Sequence, residues 1–118
     1  MNDTWLRELL AAIDAKDPDG FVSFLTDEAI FRYGSQEPVR GKPAVREYVA
    51  GFFGMVEALQ HSVLRTWNGK DSLVCQGEVT YTKHGGEKVT VPFTNIFDLE
   101  GDKVRDYLIY VDPSPLMG

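Results

Sequence analysis

The sequence predicts an α+β domain in which three N-terminal helices pack on a mainly antiparallel sheet. Apolar residues recur at helical spacing over the first half of the chain, and they alternate with polar residues after Gln60. Short glycine-containing turns separate the alternating segments. Helices followed by long strands joined by hairpins are typical of folds in which the helices cover one face of a sheet.

The first two helices are predicted from capping residues and apolar spacing. Helix one is expected over residues 3–15, with Asn2 or Asp3 as its cap. Asp17 is expected to cap a short second helix, because Pro18 has a backbone angle suited to the first helical position.

A third helix is predicted to begin at Pro43. Its apolar stripe follows three-and-four spacing and is wide enough to cover one side of a sheet. The stripe consists of Val45, Val49, Phe52, Val56 and Leu59.

The predicted sheet has five strands. The first covers residues 29–33, after a turn at Asp27-Glu28 and before a loop over residues 34–41. The tail contains Pro113, which cannot extend a central strand, so the sheet is expected to end near residue 112. The four later strands form a meander over residues 61–67, 72–83, 87–99 and 104–112.

Length and charge restrict the class of protein. A chain of 118 residues supports one core, so a single domain is expected over residues 1–118. The net charge of −6 disfavours nucleic acid as a partner, because phosphate backbones are bound by clustered Lys and Arg. Cys75 is the one cysteine, which suits a reducing compartment. With no apolar stretch of membrane-spanning length and no export signal after Met1, the expectation is a cytoplasmic protein without a membrane partner.

The order of the predicted elements, together with several short segments, resembles the SnoaL-like polyketide cyclase family. This family belongs to the nuclear-transport-factor-like superfamily, with the ketosteroid isomerases, limonene epoxide hydrolases and scytalone dehydratase. The resemblance implies a strongly curved, cone-shaped sheet around an internal pocket, on a scaffold that hosts many activities. The segments that carry it are Asp17-Pro18-Asp19, Asp27-Glu28-Ala29, Pro38-Val39-Arg40-Gly41, Thr80-Tyr81-Thr82, Val91-Pro92, Asn95-Ile96-Phe97 and residues 106–112.

The catalytic positions of these relatives fall on residues of different chemistry in this chain. The resemblance places the carboxylate base of the isomerases at Tyr33 and their first-helix tyrosine near Leu9. Their protonated aspartic acid falls near Phe93, and the final-strand aspartate of the epoxide hydrolases falls near Ile109. Neither mechanism therefore transfers intact.

Three polar residues are candidates for catalysis. Asn95 shares a strand face with apolar neighbours, so its amide needs a partner, either a ligand or another group of the protein. The Tyr33 phenol can donate to a carbonyl or enolate oxygen, or it can be a core tyrosine. His61 has the side chain best suited to act as a general base, although a histidine at a strand start is often structural. His84 lies in a glycine-rich hairpin and is expected to be exposed.

The predicted interior is heavily aromatic, so any ligand is expected to be apolar. The same residues also suit an ordinary core. No metal or nucleotide motif is found, and we expect no metal ion and no cofactor. The candidate substrate-binding residues are Trp5, Phe31, Phe52, Tyr81, Phe93, Tyr107 and Ile109.

Two functional hypotheses follow. The first is a cofactor-independent isomerase, cyclase or dehydratase that transfers a proton on a small hydrophobic carbonyl compound, with His61 as base and Tyr33 and Asn95 as donors. The second is a non-catalytic ligand-binding or dimeric interaction module of the same fold. A homodimer is expected, because Leu108 and Tyr110 place apolar groups on the face of the sheet away from the helices.

Overall fold

The computed structural model describes residues 3–117, so Asn2, one of the two candidate caps, lies outside the described residues. The helices are α1 (Asp3–Asp14), α2 (Pro18–Val22), α3 (Lys42–Met55) and α4 (Ser114–Met117). The strands are β1 (Leu25–Tyr33), β2 (Val39–Arg40), β3 (Ala58–Asn68), β4 (Ser72–Thr82), β5 (Lys88–Glu100) and β6 (Lys103–Val111). No helix in this part of the chain is long and apolar enough to cross a membrane.

The strands form one six-stranded sheet in the order β2-β1-β6-β5-β4-β3. The meander from β3 to β6 is antiparallel, as predicted, and β1 pairs in parallel with β6. The α+β class and the three helices before the meander are confirmed. The strong curvature implied by the resemblance is not observed. The register shifts at one place in each of three strand pairs, β1–β6, β3–β4 and β5–β6.

The predicted boundary of the first strand is wrong by four residues. β1 begins at Leu25, so Asp27 and Glu28 lie within the strand and do not close a turn. Both side chains are exposed between the buried Leu25 and Ala29. The register with β6 shifts between Leu25 and Ile30, which accommodates the two acidic residues on the outside.

Two short elements were not predicted. β2 lies within the expected loop over residues 34–41 and pairs with β1 through Ile30 and Phe31. α4 follows the sheet, which ends at Val111 close to the expected position.

The third helix is shorter than its apolar stripe predicts. α3 ends at Met55 and Leu59 lies on β3, although Val56 and Leu59 are both buried. The Nζ atom of Lys16 donates to the carbonyl oxygens of Val56 and Glu57 at 2.9 and 3.2 Å. The Glu57 amide donates to the sheet at 2.8 Å, so tertiary contacts stop the helix where the apolar pattern alone would continue it.

The predicted start of α2 is confirmed. The Oδ1 atom of Asp17 accepts a hydrogen bond from the Gly20 amide at 3.0 Å, and Pro18 occupies the first helical turn. α1 ends beside it at Asp14, and Lys16, two residues later, has a φ of 56° in the left-handed region. α1 and α2 therefore meet at a tight, fixed corner above the sheet.

The hydrophobic core lies between the helices and the inner face of the sheet, and its wall includes one position where only glycine fits. A Cβ atom on Gly77 would collide with the carbonyl oxygen of Ser62 on β3. Ser62 and Val63 lie where the register of β3 against β4 shifts. The absent side chain lets the two backbones approach closely at this bulge.

Candidate active site

A mainly apolar cavity lies between the helices and the inner face of the sheet. Its volume is about 50 Å³, which is room for a molecule of only a few non-hydrogen atoms. The wall draws residues from α1, α2, α3 and all the strands except β2. The lining residues are Ile13, Phe21, Phe31, Tyr33, Tyr48, Val49, Phe52, Phe53, Leu59, His61, Val79, Tyr81, Phe93, Asn95, Tyr107, Ile109 and Val111.

The three candidate catalytic residues converge on this cavity. His61 comes from β3, Asn95 from β5 and Tyr33 from the end of β1. Six of the seven candidate substrate-binding residues line it as well.

The exception is Trp5, which does not belong to the wall of the cavity. Its ring packs edge-on against Phe24 and Phe97, and its Nε1 atom donates to the carbonyl oxygen of Asp102 at 3.2 Å. Trp5 lies in the first turn of α1, whereas the cavity residue of this helix, Ile13, lies near its other end. The indole closes one end of the core instead.

His61 is held by Asp14, a residue that the sequence analysis did not select. The Asp14 carboxylate accepts from the His61 backbone amide at 3.0 Å and from Nδ1 of its ring at 2.7 Å. The imidazole also packs edge-on against Phe93, with ring centroids 5.2 Å apart. Because a carboxylate accepts the proton on Nδ1, the neutral ring keeps its lone pair on Nε2.

The position of Asp14 on α1 is a signal that could have been recognised in the sequence. It is the last residue of the helix, where the partial negative charge of the backbone carbonyls disfavours a carboxylate. No basic residue lies in the last turn of α1 to offset it. An acidic residue at this helix end is better explained by its contact with His61 than by helix stability.

Two polar atoms in the cavity wall have no hydrogen-bonding partner among the described residues: Oδ1 of Asn95 and the hydroxyl of Tyr107. Both residues are almost completely buried. Burial raises the pKa of Tyr107 well above its usual range, with the nearby Cys75 and Asp14 adding to the effect. The phenol therefore stays protonated at neutral pH and acts as a donor.

Asn95 lies beside Cys75 in the sheet. The two residues are directly opposite on β5 and β4. Burial raises the pKa of the Cys75 thiol to about 11, and hydrogen bonds from the backbone and side chain of Asn95 offset part of that rise. The Oδ1 atom of Asn95 is left without a partner among the described residues.

Two other hydroxyls in the cavity wall, those of Tyr33 and Tyr81, are paired with each other. The phenol oxygens of Tyr33 and Tyr81 lie 2.9 Å apart. Burial raises the pKa of Tyr33, and the hydrogen bond with Tyr81 offsets part of that rise. If Tyr81 donates to Tyr33, the proton of Tyr33 is left free for a ligand.

A larger cleft of about 680 Å³ lies outside this pair. Tyr33, Tyr48 and Phe52 line both the cleft and the apolar cavity, so these three aromatic side chains form the partition between them. Met55 and Met117 border the cleft from the ends of α3 and α4. A ligand larger than the cavity would have to displace the partition.

His84 lies apart from the cavity and is exposed, as predicted. Its ring contacts the Glu57 carboxylate and the Gly54 carbonyl oxygen, each at 3.0 Å. These contacts fasten the β4–β5 hairpin to the end of α3.

The sequence over residues 6–107 matches the profile of the SnoaL-like domain, and the chain belongs to this family. No functionally curated protein matches the chain.

Solved structures show the same fold at low sequence identity. An NTF2-like protein of unknown function from Burkholderia pseudomallei superimposes with a TM-score of 0.86 at 13% identity, over 97% of this chain and 92% of that one. A protein from Jannaschia sp., provisionally described as a SnoaL-like polyketide cyclase, superimposes with a TM-score of 0.83 at 19% identity, over 97% of this chain and 87% of that one. TerC, co-crystallised with polyporic acid, superimposes with a TM-score of 0.82 at 15% identity, over 97% of this chain and 93% of that one. At such identities the likeness establishes the NTF2-like fold and no particular activity.

Proposed function

We propose that the protein is a cofactor-independent enzyme of the isomerase, cyclase or dehydratase type, which transfers a proton on a small hydrophobic carbonyl compound. The observation that carries this proposal is His61 in the wall of an apolar cavity, with its ring hydrogen-bonded to the Asp14 carboxylate at 2.7 Å. A histidine oriented by a carboxylate is a recurrent arrangement for general-base catalysis.

In this mechanism, Nε2 of His61 removes a proton from the carbon next to the carbonyl group. The Asp14 carboxylate stabilises the imidazolium that forms, at the 2.7 Å contact with Nδ1. Negative charge develops on the substrate oxygen. Tyr33 and Asn95 were the expected donors to it, but the unpartnered Oδ1 atom of Asn95 can only accept a hydrogen bond, so Tyr33 is the donor that remains. The hydroxyl of Tyr33 retains this role if it accepts from Tyr81 and donates to the oxygen.

Proton exchange tests the proposal directly. Acetone, butan-2-one and cyclohexanone are incubated with the protein in D₂O, and loss of the proton signal next to the carbonyl is followed by NMR. We expect His61→Gln to slow exchange by about 10²- to 10⁴-fold, since the base is lost. His84→Gln is the matched control, because that histidine is exposed and does not line the cavity. Equal exchange by the wild type, His61→Gln and buffer alone would contradict an enzymatic role on these substrates.

The alternative is a ligand-binding protein without catalysis, and one observation favours it. The wall positions that correspond to the acids of related enzymes are a phenol at Tyr33, a phenyl ring at Phe93 and an aliphatic side chain at Ile109. The cavity wall thus contains no carboxylate among the described residues. Binding of a carbonyl compound without exchange or turnover would support this alternative.

We also propose that the partner on the outer face of the sheet is a second copy of the chain. On that face, one row of apolar residues crosses four paired strands, and the row consists of Trp67, Val74, Ile96 and Leu108. The side chain of Tyr110, in the next row, is 55% exposed. A contiguous apolar surface of this kind is typical of an interface.

A further inference from the structure

We infer that Asn95 and Tyr107 together select the ligand, and that the ligand is a small neutral molecule carrying both a hydroxyl group and a carbonyl group. The inference rests on the proposed function only in placing the ligand in the same cavity. It assigns the recognition of two ligand atoms to two side chains.

The two side chains are neighbours on the inner face of the sheet. Asn95 pairs with Ile109, which lies two residues from Tyr107 on β6. Diagonal neighbours of this kind in antiparallel strands are about 7–8 Å apart. One small molecule in the cavity can therefore contact both residues.

The two atoms require different partners. The Oδ1 atom of Asn95 can only accept a hydrogen bond, so it calls for a hydroxyl or amine proton on the ligand. The hydroxyl of Tyr107 remains protonated and donates to an acceptor such as a carbonyl oxygen. A buried polar group without a partner costs free energy, so a ligand that satisfies both atoms gains affinity that an apolar molecule of the same size cannot.

The charges near the cavity favour a neutral ligand. The Asp14 carboxylate contributes to the raised pKa of Tyr107, so it disfavours an anion, and it is already paired with His61. The described wall contains no Asp, Glu, Lys or Arg side chain, so a charged group on the ligand would lose its hydration without such a partner.

Binding of four small probes tests the inference. The probes are 1-hydroxypropan-2-one and 4-hydroxybutan-2-one, each compared with its methyl ether. The two hydroxy ketones differ in the separation of their two oxygens, so they test which separation fits the two side chains. Dissociation constants are measured by ligand-observed NMR for the wild type, Asn95→Leu and Tyr107→Phe. We expect the wild type to bind at least one hydroxy ketone about tenfold or more tightly than its ether.

Each variant should change a different contrast. Asn95→Leu should abolish the preference for the hydroxyl over the ether, because the ether has no proton to donate. Tyr107→Phe should weaken the binding of a hydroxy ketone and of its methyl ether by a similar factor, about tenfold, because both compounds keep the carbonyl oxygen. Equal affinity of the wild type for alcohol and ether, absence of binding of all four probes, or unchanged affinities in the variants would overturn the inference.

Thermal unfolding of the ligand-free proteins separates recognition from a structural role. Tyr107→Phe should leave the midpoint unchanged or raise it, since the hydroxyl it removes has no partner among the described residues. Tyr81→Phe is the matched control and should lower the midpoint, because its hydroxyl is paired with Tyr33 at 2.9 Å. A lower midpoint in Tyr107→Phe with unchanged probe affinity would mean that the hydroxyl is satisfied internally, for instance by a tightly held water, and would refute the role in recognition.

The proton-exchange assay distinguishes this inference from the proposed function. Selective binding of a hydroxy ketone, lost in the two variants, together with no exchange next to its carbonyl, would refute the enzyme and keep the recognition pair. Exchange that needs His61 but is insensitive to Asn95→Leu and Tyr107→Phe would support the enzyme and refute the recognition pair.

Discussion

Asp14 and His61 are joined by two hydrogen bonds to one carboxylate, one from the backbone amide of His61 and one from its ring. The first bond fixes where β3 lies against the end of α1, and the second fixes the orientation of the imidazole. The contact links a helix end to a strand 47 positions later in the chain. A functional orientation and a packing contact therefore depend on the same side chain.

Asp14→Asn should reverse the tautomer of His61 while keeping much of the packing. The amide oxygen can still accept from the His61 backbone, and its NH₂ group then donates to Nδ1, which leaves the proton on Nε2. A ring protonated at Nε2 cannot accept a proton from the substrate, so proton exchange should fall by about two orders of magnitude or more.

The measurement is ¹⁵N NMR of the imidazole together with the exchange assay. Glu57→Gln is the control, because Glu57 makes the corresponding contact with the exposed His84, at 3.0 Å. If Asp14→Asn changes the tautomer without changing exchange, His61 is not the base.

The fold and the cavity wall were largely predictable because they depend on local patterns. Alternation placed Phe93, Asn95 and Tyr107 on the inner face, and six of the seven substrate-binding candidates do line the cavity. The limits of α3 and β1 were not predictable, because distant groups set them. Lys16 bonds the carbonyls beyond α3, and the shifted register of β1 tolerates acidic residues inside a strand.

The polar chemistry of the site was less predictable than its wall. Whether a buried hydroxyl has a partner depends on which strands meet, so the sequence analysis selected Tyr33 as the candidate donor and placed Tyr107 only among the substrate-binding residues. In the structure Tyr33 is paired with Tyr81, and Tyr107 has no partner among the described residues. Asp14 was missed because its partner lies on another element.

Gly77→Ala should destabilise the protein strongly, because its Cβ atom would meet backbone atoms that cannot rotate away. The nearest is the carbonyl oxygen of Ser62. Overpacking against backbone costs about 1–3 kcal/mol or more in the free energy of unfolding, and we expect the upper part of this range.

Urea denaturation monitored by circular dichroism measures the loss. Gly51→Ala is the control, since a Cβ atom there would have no neighbour within 4 Å and the residue lies inside α3. That variant should gain about 0.5–1 kcal/mol from helix propensity. Similar stability of the two variants would show that the β3 bulge can move.

Alkaline pH should destabilise the fold through Cys75 and Tyr107. Burial raises the pKa of Cys75 from 9.0 to about 11, and it raises that of Tyr107 further. For an acid whose pKa is higher in the folded state, the associated stability is complete below the unfolded pKa. It is lost as the pH rises through the folded value. The window for Cys75 is therefore between about pH 9 and pH 11.

The check is the free energy of unfolding as a function of pH for the wild type and Cys75→Ala. The wild type should lose about 2–3 kcal/mol through this group, whereas the slope of the variant should be shallower over the same interval. The folded thiol should also resist alkylation at pH 8 and react after unfolding. Rapid alkylation of the native protein would contradict its burial.

The final prediction concerns the outer row of the sheet. Ile96 pairs with Val74 on one side and Leu108 on the other, so it lies at the centre of the proposed interface. Ile96→Lys should convert a dimer into a monomer, because its ammonium would be buried against an apolar face without a partner. Glu100→Gln changes the net charge by the same amount at an exposed site at the end of β5, so it should leave the dimer intact.

Sedimentation velocity at micromolar concentration measures both variants beside the wild type. The cavity lies on the opposite face of the sheet, so monomeric Ile96→Lys should keep its probe affinity and its thermal midpoint should become independent of concentration. A wild type that sediments only as a monomer would refute the dimer. If Ile96→Lys is still a dimer, the interface lies on another surface of the chain.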